Sequence, residues 1–366
     1  MYVRPIRPDR DVRLVPVELR EAEPKVAVLL NANARRVSDR VLRTLAHVVP
    51  DGDLFISRSF EEARAIAETV VERRYSTVFT GGGDGTFVGF FNEIHNILER
   101  RQHGTPFANR GPRFGVLKLG TGNALANLVG ASSLSGDGIV DDVLRARANE
   151  VPGVMKLDLL LADGKRAPFA GVGLDAGVLN HYVETKHTLG KGPFKKLITG
   201  ELGYIAAIGG KSVPHFLMQR KAPQLEVRAR GAAYRIGPDG RLGEPYKAGE
   251  LLYAGPALMA SVGTIPCYGF NFKLFPPAQA RRGFMQLRVA NVSVPKILAN
   301  LYPGIWNGTW SDPGMHDFLV EDVEISIDQK VPFQIGGDAE GYRDNVRFSM
   351  WKHGVEVLDF SPSARA

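Results

Sequence analysis

Two glycine-rich turns constrain the fold of this 366-residue chain more than any other feature of its sequence. Residues 81–86 read Gly-Gly-Gly-Asp-Gly-Thr after a strand pattern at 75–80, and residues 120–123 read Gly-Thr-Gly-Asn after a strand pattern at 114–119. A helical pattern follows each turn, and successive strand–turn–helix units are typical of a parallel sheet covered by helices. Because neighbouring parallel strands end at the same edge of a sheet, we expect both turns to face one crevice.

The chain divides into two patterned regions behind a short N-terminal segment. Residues 1–24 are rich in Pro and Arg and predict an extended basic segment. Over residues 25–150, strand and helix patterns alternate, which predicts an α/β domain with a Rossmann-like parallel sheet. From 151 to 366, short β-rich runs lie between Gly and Pro. They predict a mainly antiparallel β-sandwich domain, whose last strands could return to the first domain.

Two finer features of these regions can be checked against a structure. Residues 26–30 and 54–57 read as short strands, and Ser59 and Glu62 have the spacing of a helix-capping box. In the second region, helical patterns occur only around residues 195–208 and 295–301.

The composition excludes several classes of protein. A single cysteine, Cys267, excludes a disulfide scaffold and a four-cysteine metal site. No apolar run reaches the roughly 18 residues that a spanning helix needs, and no secretory signal pattern is present. We therefore expect a cytoplasmic protein. The excess of 46 Lys and Arg over 39 Asp and Glu suits acidic partners, but without a block of basic residues we do not expect nucleic acid.

The chemistry that suits the two turns is the binding of an oxyanion. Glycine lets backbone amides approach an anion, and the helix that follows offers unpaired N–H groups at its positive end. Asp84, inside the first turn, would repel a phosphate unless it held Mg²⁺, a water molecule or a hydroxyl group being activated. An ordinary tight turn between a strand and a helix is the alternative for either turn alone, and the presence of two turns favours the anion site.

The two turns resemble the diacylglycerol kinase catalytic family, which includes bacterial lipid kinases, sphingosine kinases and ceramide kinases. Residues 82–86 read Gly-Gly-Asp-Gly-Thr, and residues 119–126 read Leu-Gly-Thr-Gly-Asn-Ala-Leu-Ala. The similarity extends from residue 25 to about residue 359. The resemblance implies a lipid kinase that uses ATP and Mg²⁺ to phosphorylate a lipid hydroxyl. It also implies a nucleotide bound between the α/β domain and the β-sandwich.

The resemblance further implies a set of site residues. Those expected to bind the nucleotide lie at the end of the first strand and in the two turns: Asn31, Gly82, Gly83, Asp84, Gly85, Thr86, Gly120, Thr121, Gly122 and Asn123. Asp175 lies in a stretch similar to the one whose aspartate meets the lipid head group in sphingosine kinases. The family's late Asp-Gly-Glu motif is altered here, which leaves Asp338 or Glu340 as its acidic residue.

For the chemistry itself, we expect Asp84, Asp175 and Glu340 to be the catalytic residues. Asp84 would orient or deprotonate the lipid hydroxyl, and Asp175 would place the head group. Lys195 and Lys196 are candidates for cations that neutralise the phosphates. The metal ligands stay unassigned.

One departure from the family leaves the activity open. Arg281-Arg282-Gly283 stands where bacterial lipid kinases carry Asp-Asp-Gly, whose aspartate is a proposed general base. An arginine cannot accept a proton at neutral pH, because its pKa stays above about 12. A nucleotide- and lipid-binding relative that has lost transfer activity is therefore an alternative. A NAD-kinase-like enzyme, which shares the Gly-Gly-Asp-Gly turn, is a lesser alternative.

The implied lipid substrate requires access to a membrane surface. With no spanning helix expected, we predict peripheral association through surface aromatic residues. Trp306 and Trp310 lie in a Gly-rich stretch that suits interfacial contact. The oligomeric state, including a homodimer, stays open.

Overall fold

A computed structural model describes residues 24–101, 111–133, 138–177, 222–268 and 272–361. Within these ranges the chain forms a parallel, helix-covered sheet followed by an antiparallel, β-rich region. This confirms the predicted fold class, an α/β domain joined to a mainly antiparallel β domain.

The first sheet has six strands, and its middle is parallel. In spatial order the strands are β2 (Leu54–Ser57), β1 (Val26–Asn31), β3 (Thr77–Gly82), β4 (Arg113–Lys118), β18 (Val355–Asp359) and β5 (Gly153–Leu157), numbered in chain order. The strands from β2 to β18 run parallel, and β5 pairs antiparallel with β18. The last strand of the described chain therefore returns to the first sheet.

Helices cover both faces of this sheet and pack through apolar side chains. They are α1 (Asp39–Ala46), α2 (Phe60–Glu72), α3 (Asp84–Arg101), α4 (Ala124–Leu128) and α5 (Gly138–Arg147). The longest, α3, buries Phe87 and Phe91 against Phe114 of β4, with ring centroids 5.7 and 5.4 Å from that ring. Burial of such aromatic faces, rather than helix propensity, holds the helix on the sheet.

The capping box and the third strand differ slightly from their predicted positions. Ser59 Oγ accepts the Glu62 amide at 3.2 Å as a capping box requires, but the Glu62 carboxylate accepts the amide of Arg58, one residue before the cap. The third strand begins at Thr77 and continues through Gly82, so two glycines of the predicted turn lie in the sheet. Gly81 fits in the sheet because it has no side chain: a Cβ at this position would lie only 2.2 Å from a methyl group of Leu30.

The second sheet contains twelve strands, and its described strand pairs are antiparallel. They are β6 (Leu160–Ala162), β7 (Lys165–Ala167), β8 (Phe169–Gly173), β9 (Gln224–Ala229), β10 (Ala233–Ile236), β11 (Leu242–Tyr246), β12 (Leu251–Pro256), β13 (Met259–Gly263), β14 (Met285–Ala290), β15 (Met315–Val320), β16 (Asp322–Ile335) and β17 (Asp338–Met350). A short helix, α6 (Val294–Ala299), continues into an irregular turn at Leu301–Ile305. The helix predicted around 195–208 lies outside the described residues.

The β16–β17 hairpin joins the second sheet to the first domain. Its turn, Gly336–Gly337, has positive φ values of 60° and 91°. A Cβ on Gly336 would lie 2.9 Å from Val88 of α3, so the turn packs directly on the helix that follows the first glycine turn. In the described part of the chain, no helix is both long and apolar enough to cross a membrane.

We expect the returning strand β18 to be required for stability of the first sheet. Val357 is fully buried between β4 and β5, so Val357→Ala should lower the free energy of unfolding by about 1–3 kcal/mol through lost burial and a cavity. The matched control Val154→Ala, on the neighbouring strand but 44% exposed, should change it by less than about 0.5 kcal/mol. Urea unfolding measures both, and equal effects would contradict the placement of β18.

Candidate functional site

The two glycine turns touch each other at the carboxyl edge of the first sheet. A Cβ added to Gly120 would lie 2.2 Å from Gly83 Cα and 2.6 Å from Gly83 N, so the backbones are in direct contact. Only glycine fits at this contact. Residues 83–86, 121 and 122 remain partly exposed, so the joined turns form one accessible surface.

Asp84 links the two turns through its side chain. Its Oδ2 accepts the amide of Ala124 and its Oδ1 accepts the amide of Leu125, each at 3.0 Å. The carboxylate therefore caps α4, the helix that follows the second turn. Burial raises the pKa of Asp84, and these two amide donors oppose the shift. Each oxygen accepts one amide hydrogen bond, so the carboxylate holds the two turns together.

Asn31 and Asn123 fix the shapes of the turns around Asp84. Asn31, at the end of β1, donates from Nδ2 to Thr86 Oγ1 at 3.1 Å. Asn123 has a left-handed backbone with φ 51°, and its side chain both accepts from the Gly120 amide and donates to the Gly120 carbonyl at 3.0 Å. The structure thus brings together the residues predicted to bind the nucleotide: Asn31, Gly82, Gly83, Asp84, Gly85, Thr86, Gly120, Thr121, Gly122 and Asn123.

Asp338 is the acidic side chain that faces the first turn from the second sheet. A Cβ on Gly85 would lie 3.0 Å from Asp338 Oδ2 and 3.2 Å from Oδ1. The carboxylate makes no hydrogen bond or ion pair with another described residue. Surrounding protein and the charge of Glu340 raise the pKa of Asp338, although its side chain remains accessible to solvent. It is a free acceptor beside the start of α3.

Glu340 lies two residues further along β17 and has a different partner. Its Oε1 receives a hydrogen bond from Lys165 Nζ at 2.5 Å. The reason is the turn at Gly336–Gly337, which ends β16 and makes Asp338 the first residue of the next strand. The sequence leaves Asp338 or Glu340 as the acidic residue of this motif, and Glu340 is the one predicted to be catalytic. The turn instead places Asp338 beside the first glycine turn, whereas Glu340 pairs with Lys165.

Asp175 lines an apolar cavity. The cavity encloses about 110 Å³ and is lined mainly by aliphatic and aromatic side chains, including Trp306 and Trp310. Burial raises the pKa of Asp175 to about 6, and hydrogen bonding opposes the shift. Its Oδ2 accepts from Gln334 Nε2 at 3.3 Å, whereas its Oδ1 is buried and makes no hydrogen bond with another residue of the described ranges.

Gln334 connects the cavity to the glycine turns. The side-chain amide that donates to Asp175 also accepts, through Oε1, the amide of Gly337 at 3.1 Å. Gly337 immediately precedes Asp338. One side chain and one turn therefore separate the end of the cavity from the carboxylate at the first glycine turn. Sequence reasoning missed this role of Gln334, because a glutamine in a strand carries no signal of its own.

The two arginines that replace the expected acidic pair have partners of their own. Arg282 pairs with Asp158 at 2.8 Å, and Arg281 stacks over Tyr234 and Phe284 with its guanidinium carbon 4.8 and 4.6 Å from their ring centroids. Neither contact involves the residues at the glycine turns. The candidate cations Lys195 and Lys196 lie outside the described residues.

Among the described residues, no cluster of three or more His, Cys, Asp or Glu forms a ready-made metal cage. Mg²⁺ usually binds one or two carboxylates together with substrate phosphates and water. The unpartnered carboxylate of Asp338 beside the partly exposed first turn fits that mode.

Comparisons with known proteins agree with this fold. Residues 25–155 match the family model of the diacylglycerol kinase catalytic domain, which confirms the resemblance seen in the sequence. A crystal structure of a Bacillus anthracis diacylglycerol kinase is similar at a TM-score of 0.57 and 13% identity, covering 93% of this chain and 98% of that one. A second Bacillus anthracis structure, provisionally assigned as a diacylglycerol kinase, gives 0.60 and 14% with the same coverage. At this identity the structures support the fold alone. A comparison with curated proteins gave no match.

We expect the contact between the turns to tolerate no side chain. Gly120→Ala would force a methyl group into the Gly83 backbone and should lower the free energy of unfolding by about 1–3 kcal/mol. The control Gly89→Ala adds its methyl to an exposed position of α3 with no atom within 4 Å, so it should stabilise by about 0.5–1 kcal/mol. Thermal and urea unfolding measure both, and a neutral Gly120→Ala would contradict the contact.

Asp175 should give the stability a defined pH dependence. Its folded pKa of about 6 lies above the ordinary 3.8, so the folded state binds this proton more tightly than the unfolded chain. Stability from this group is therefore present below pH 4 and is lost as the pH rises to 6. Asp175→Asn removes the effect, so its stability relative to the parent should rise across this window. Urea unfolding from pH 4 to 7 tests this, and a flat difference would contradict it.

Proposed function

We propose that this chain, which carries a diacylglycerol kinase catalytic domain, transfers the γ-phosphoryl group of ATP to the hydroxyl group of a lipid. One observation carries the proposal: a continuous path from an apolar cavity to the glycine turns. The path runs from Asp175 through Gln334 and Gly337 to the unpartnered carboxylate of Asp338. It joins a site for an apolar substrate to a site for phosphates.

The joined glycine turns would hold the phosphates of the nucleotide. The positive end of α3 favours a phosphate. The amides of Thr86 and Phe87 already donate to the Gly83 carbonyl at 3.0 and 3.3 Å, which leaves the amide of Gly85 without a partner among the described residues. The amides at the start of α4 are bound to Asp84 and the Gly120 amide is bound to Asn123, so the proposed anion surface consists of the Gly85 amide and the loop at residues 121–122. Thr86, oriented by Asn31, adds a hydroxyl group to this surface.

Phosphoryl transfer asks the protein mainly to position the reactants and to neutralise charge. Mg²⁺, when bound, neutralises charge on the transferring phosphoryl group. We assign Asp338 to hold the metal and to accept the proton of the lipid hydroxyl. Its oxygens make no hydrogen bond or ion pair with another described residue, so the carboxylate can contact both the metal and the lipid hydroxyl. Asp84 is then a positioning residue, because its oxygens are bound to backbone amides.

The apolar cavity would receive the chain of the lipid substrate. Its walls are almost entirely aliphatic and aromatic, and Asp175 with its free Oδ1 would bind a polar group of the substrate next to the reacting hydroxyl. Leu298 and Tyr302, beside the cavity wall, are 37% and 75% exposed. These side chains and the adjacent Trp306 and Trp310 form the surface that we propose for contact with a membrane.

The arginine pair favours an alternative, a nucleotide- and lipid-binding protein without transfer activity. In the structure both arginines contact residues outside the glycine turns. Asp338, beside Gly85, provides a carboxylate that could serve instead of the missing acidic pair. An active enzyme therefore agrees better with the contacts of the site.

The test is transfer of label from γ-labelled ATP, with Mg²⁺, to mixed micelles that carry a panel of lipids. We expect a labelled, organic-extractable product. Asp338→Asn should lower kcat at least about 100-fold, because the neutral amide can neither accept the proton nor bind the metal, and ATP binding should persist. The matched control, Glu340→Gln, lies two residues away and should retain most of the activity.

Three outcomes would contradict the proposal. Full turnover by Asp338→Asn would remove the assigned acceptor. ATP binding without any labelled lipid would favour the inactive relative. Labelled product from a parallel incubation with NAD, in place of lipid, would favour a NAD kinase.

A further inference from the structure

We propose that Arg288 is a specificity-determining residue that donates a hydrogen bond to a carbonyl oxygen in the linkage of the lipid substrate. This inference rests on the proposed lipid kinase function, and it adds which lipids the cavity accepts. It predicts a preference for lipids whose chain is attached by an ester or amide over lipids that lack the carbonyl.

The first observation is a row of polar residues that crosses neighbouring strands of the second sheet. Strand register places Gln334 opposite Gly171, Gly171 opposite Ser261, Ser261 opposite Arg288, and Arg288 opposite Asp317. Residues directly opposite each other in antiparallel strands point to the same face. Gln334 and Ser261 are fully buried, and Arg288 is 5% exposed. A buried polar row of this kind costs stability unless its groups find partners.

Gly171 makes room for the carboxylate of Asp175 in this row. A Cβ at Gly171 would lie 2.5 Å from Asp175 Oδ2 and 2.2 Å from Ser261 Oγ, so any side chain there would displace both groups. Asp175 is 8% exposed, and its Oδ1 makes no hydrogen bond in the part of the chain that the structure describes. The row therefore contains one buried carboxylate oxygen without a described partner.

Arg288 presents the complementary donor. Its Nε and one terminal nitrogen bond the two oxygens of Asp317 at 2.7 and 2.8 Å, and Gln286 donates to the same carboxylate at 2.9 Å. This bidentate pair neutralises the arginine and fixes its planar guanidinium group. The other terminal nitrogen has no partner among the described residues.

Arg288 and Asp175 line the same cavity, whose remaining walls are almost entirely apolar. A substrate that fits must bring an acceptor for Arg288 and a donor for Asp175 close to the start of its chain. An ester or amide carbonyl provides the acceptor, and a hydroxyl or amide N–H provides the donor. A lipid without the carbonyl would remove water from the arginine donor and leave it without a hydrogen bond. Leaving a buried donor unpaired weakens binding, so such a lipid should be a poorer substrate.

The test compares two glycerolipids that differ only in the linkage: 1,2-dioctanoylglycerol, an ester, and 1,2-dioctylglycerol, the corresponding ether. Both carry the same free hydroxyl. We expect kcat/KM to be at least tenfold higher for the ester. Equal values for the two lipids would overturn the inference.

A double variant assigns the preference to Arg288. Arg288→Met with Asp317→Leu removes both charges, so that neither is left buried and unpaired. It should bring the ester-to-ether ratio to within about twofold, and a ratio kept at the parental value would overturn the assignment. The matched control is Arg347→Met with Asp322→Leu, which removes an equally bidentate Arg–Asp pair from the surface of the second sheet. It should keep the parental ratio. If the Arg288 double variant fails to fold, Arg288→Lys, which loses the fork, should lower the ratio.

Binding separates this inference from the proposed function. Two of the three tryptophans, Trp306 and Trp310, line the cavity, so their fluorescence reports lipid binding without turnover. Tighter binding of the ester with no phosphorylation of either lipid would support the role of Arg288 and contradict the kinase proposal. Phosphorylation with equal binding and equal turnover of the two lipids would do the reverse.

Discussion

The contact between Gly83 and Gly120 is the constraint on which the rest of the site depends. Two parallel strands lie side by side, and the backbones of their turns meet without a side chain between them. This contact allows Asp84 to reach across and bind the first amides of α4. The two turns are thereby held as one rigid surface at the carboxyl edge of the sheet.

The other half of the site comes from distant parts of the chain. The β16–β17 hairpin packs its glycine turn on α3, and in doing so it places Asp338 beside Gly85. The following strand, β18, then returns to the first sheet between β4 and β5. The hairpin therefore contacts α3 at its turn and leads into the first sheet through β18. These two connections fix the position of Asp338 relative to the glycine turns.

The sequence predicts the parts of this site that depend on local pattern. Strand, glycine turn and helix follow each other within a few residues, so both turns and the parallel sheet could be read from residues 75–126. The sequence predicts that Asp84 acts on the lipid hydroxyl. It cannot predict the two hydrogen bonds from the amides of α4, because they depend on how close the second turn lies to the first. Likewise, the choice between Asp338 and Glu340 depends on where a hairpin turns. The cavity and the partners of Arg288 arise from strand register, which no single segment reveals.

A crystal structure with a non-hydrolysable ATP analogue and Mg²⁺ would test the central claim most directly. The account predicts the terminal phosphates against the Gly85 amide at the start of α3 and the loop at residues 121–122, with Asp338 in the coordination shell of the metal. A triphosphate bound elsewhere on the protein, or a metal held without Asp338, would contradict it.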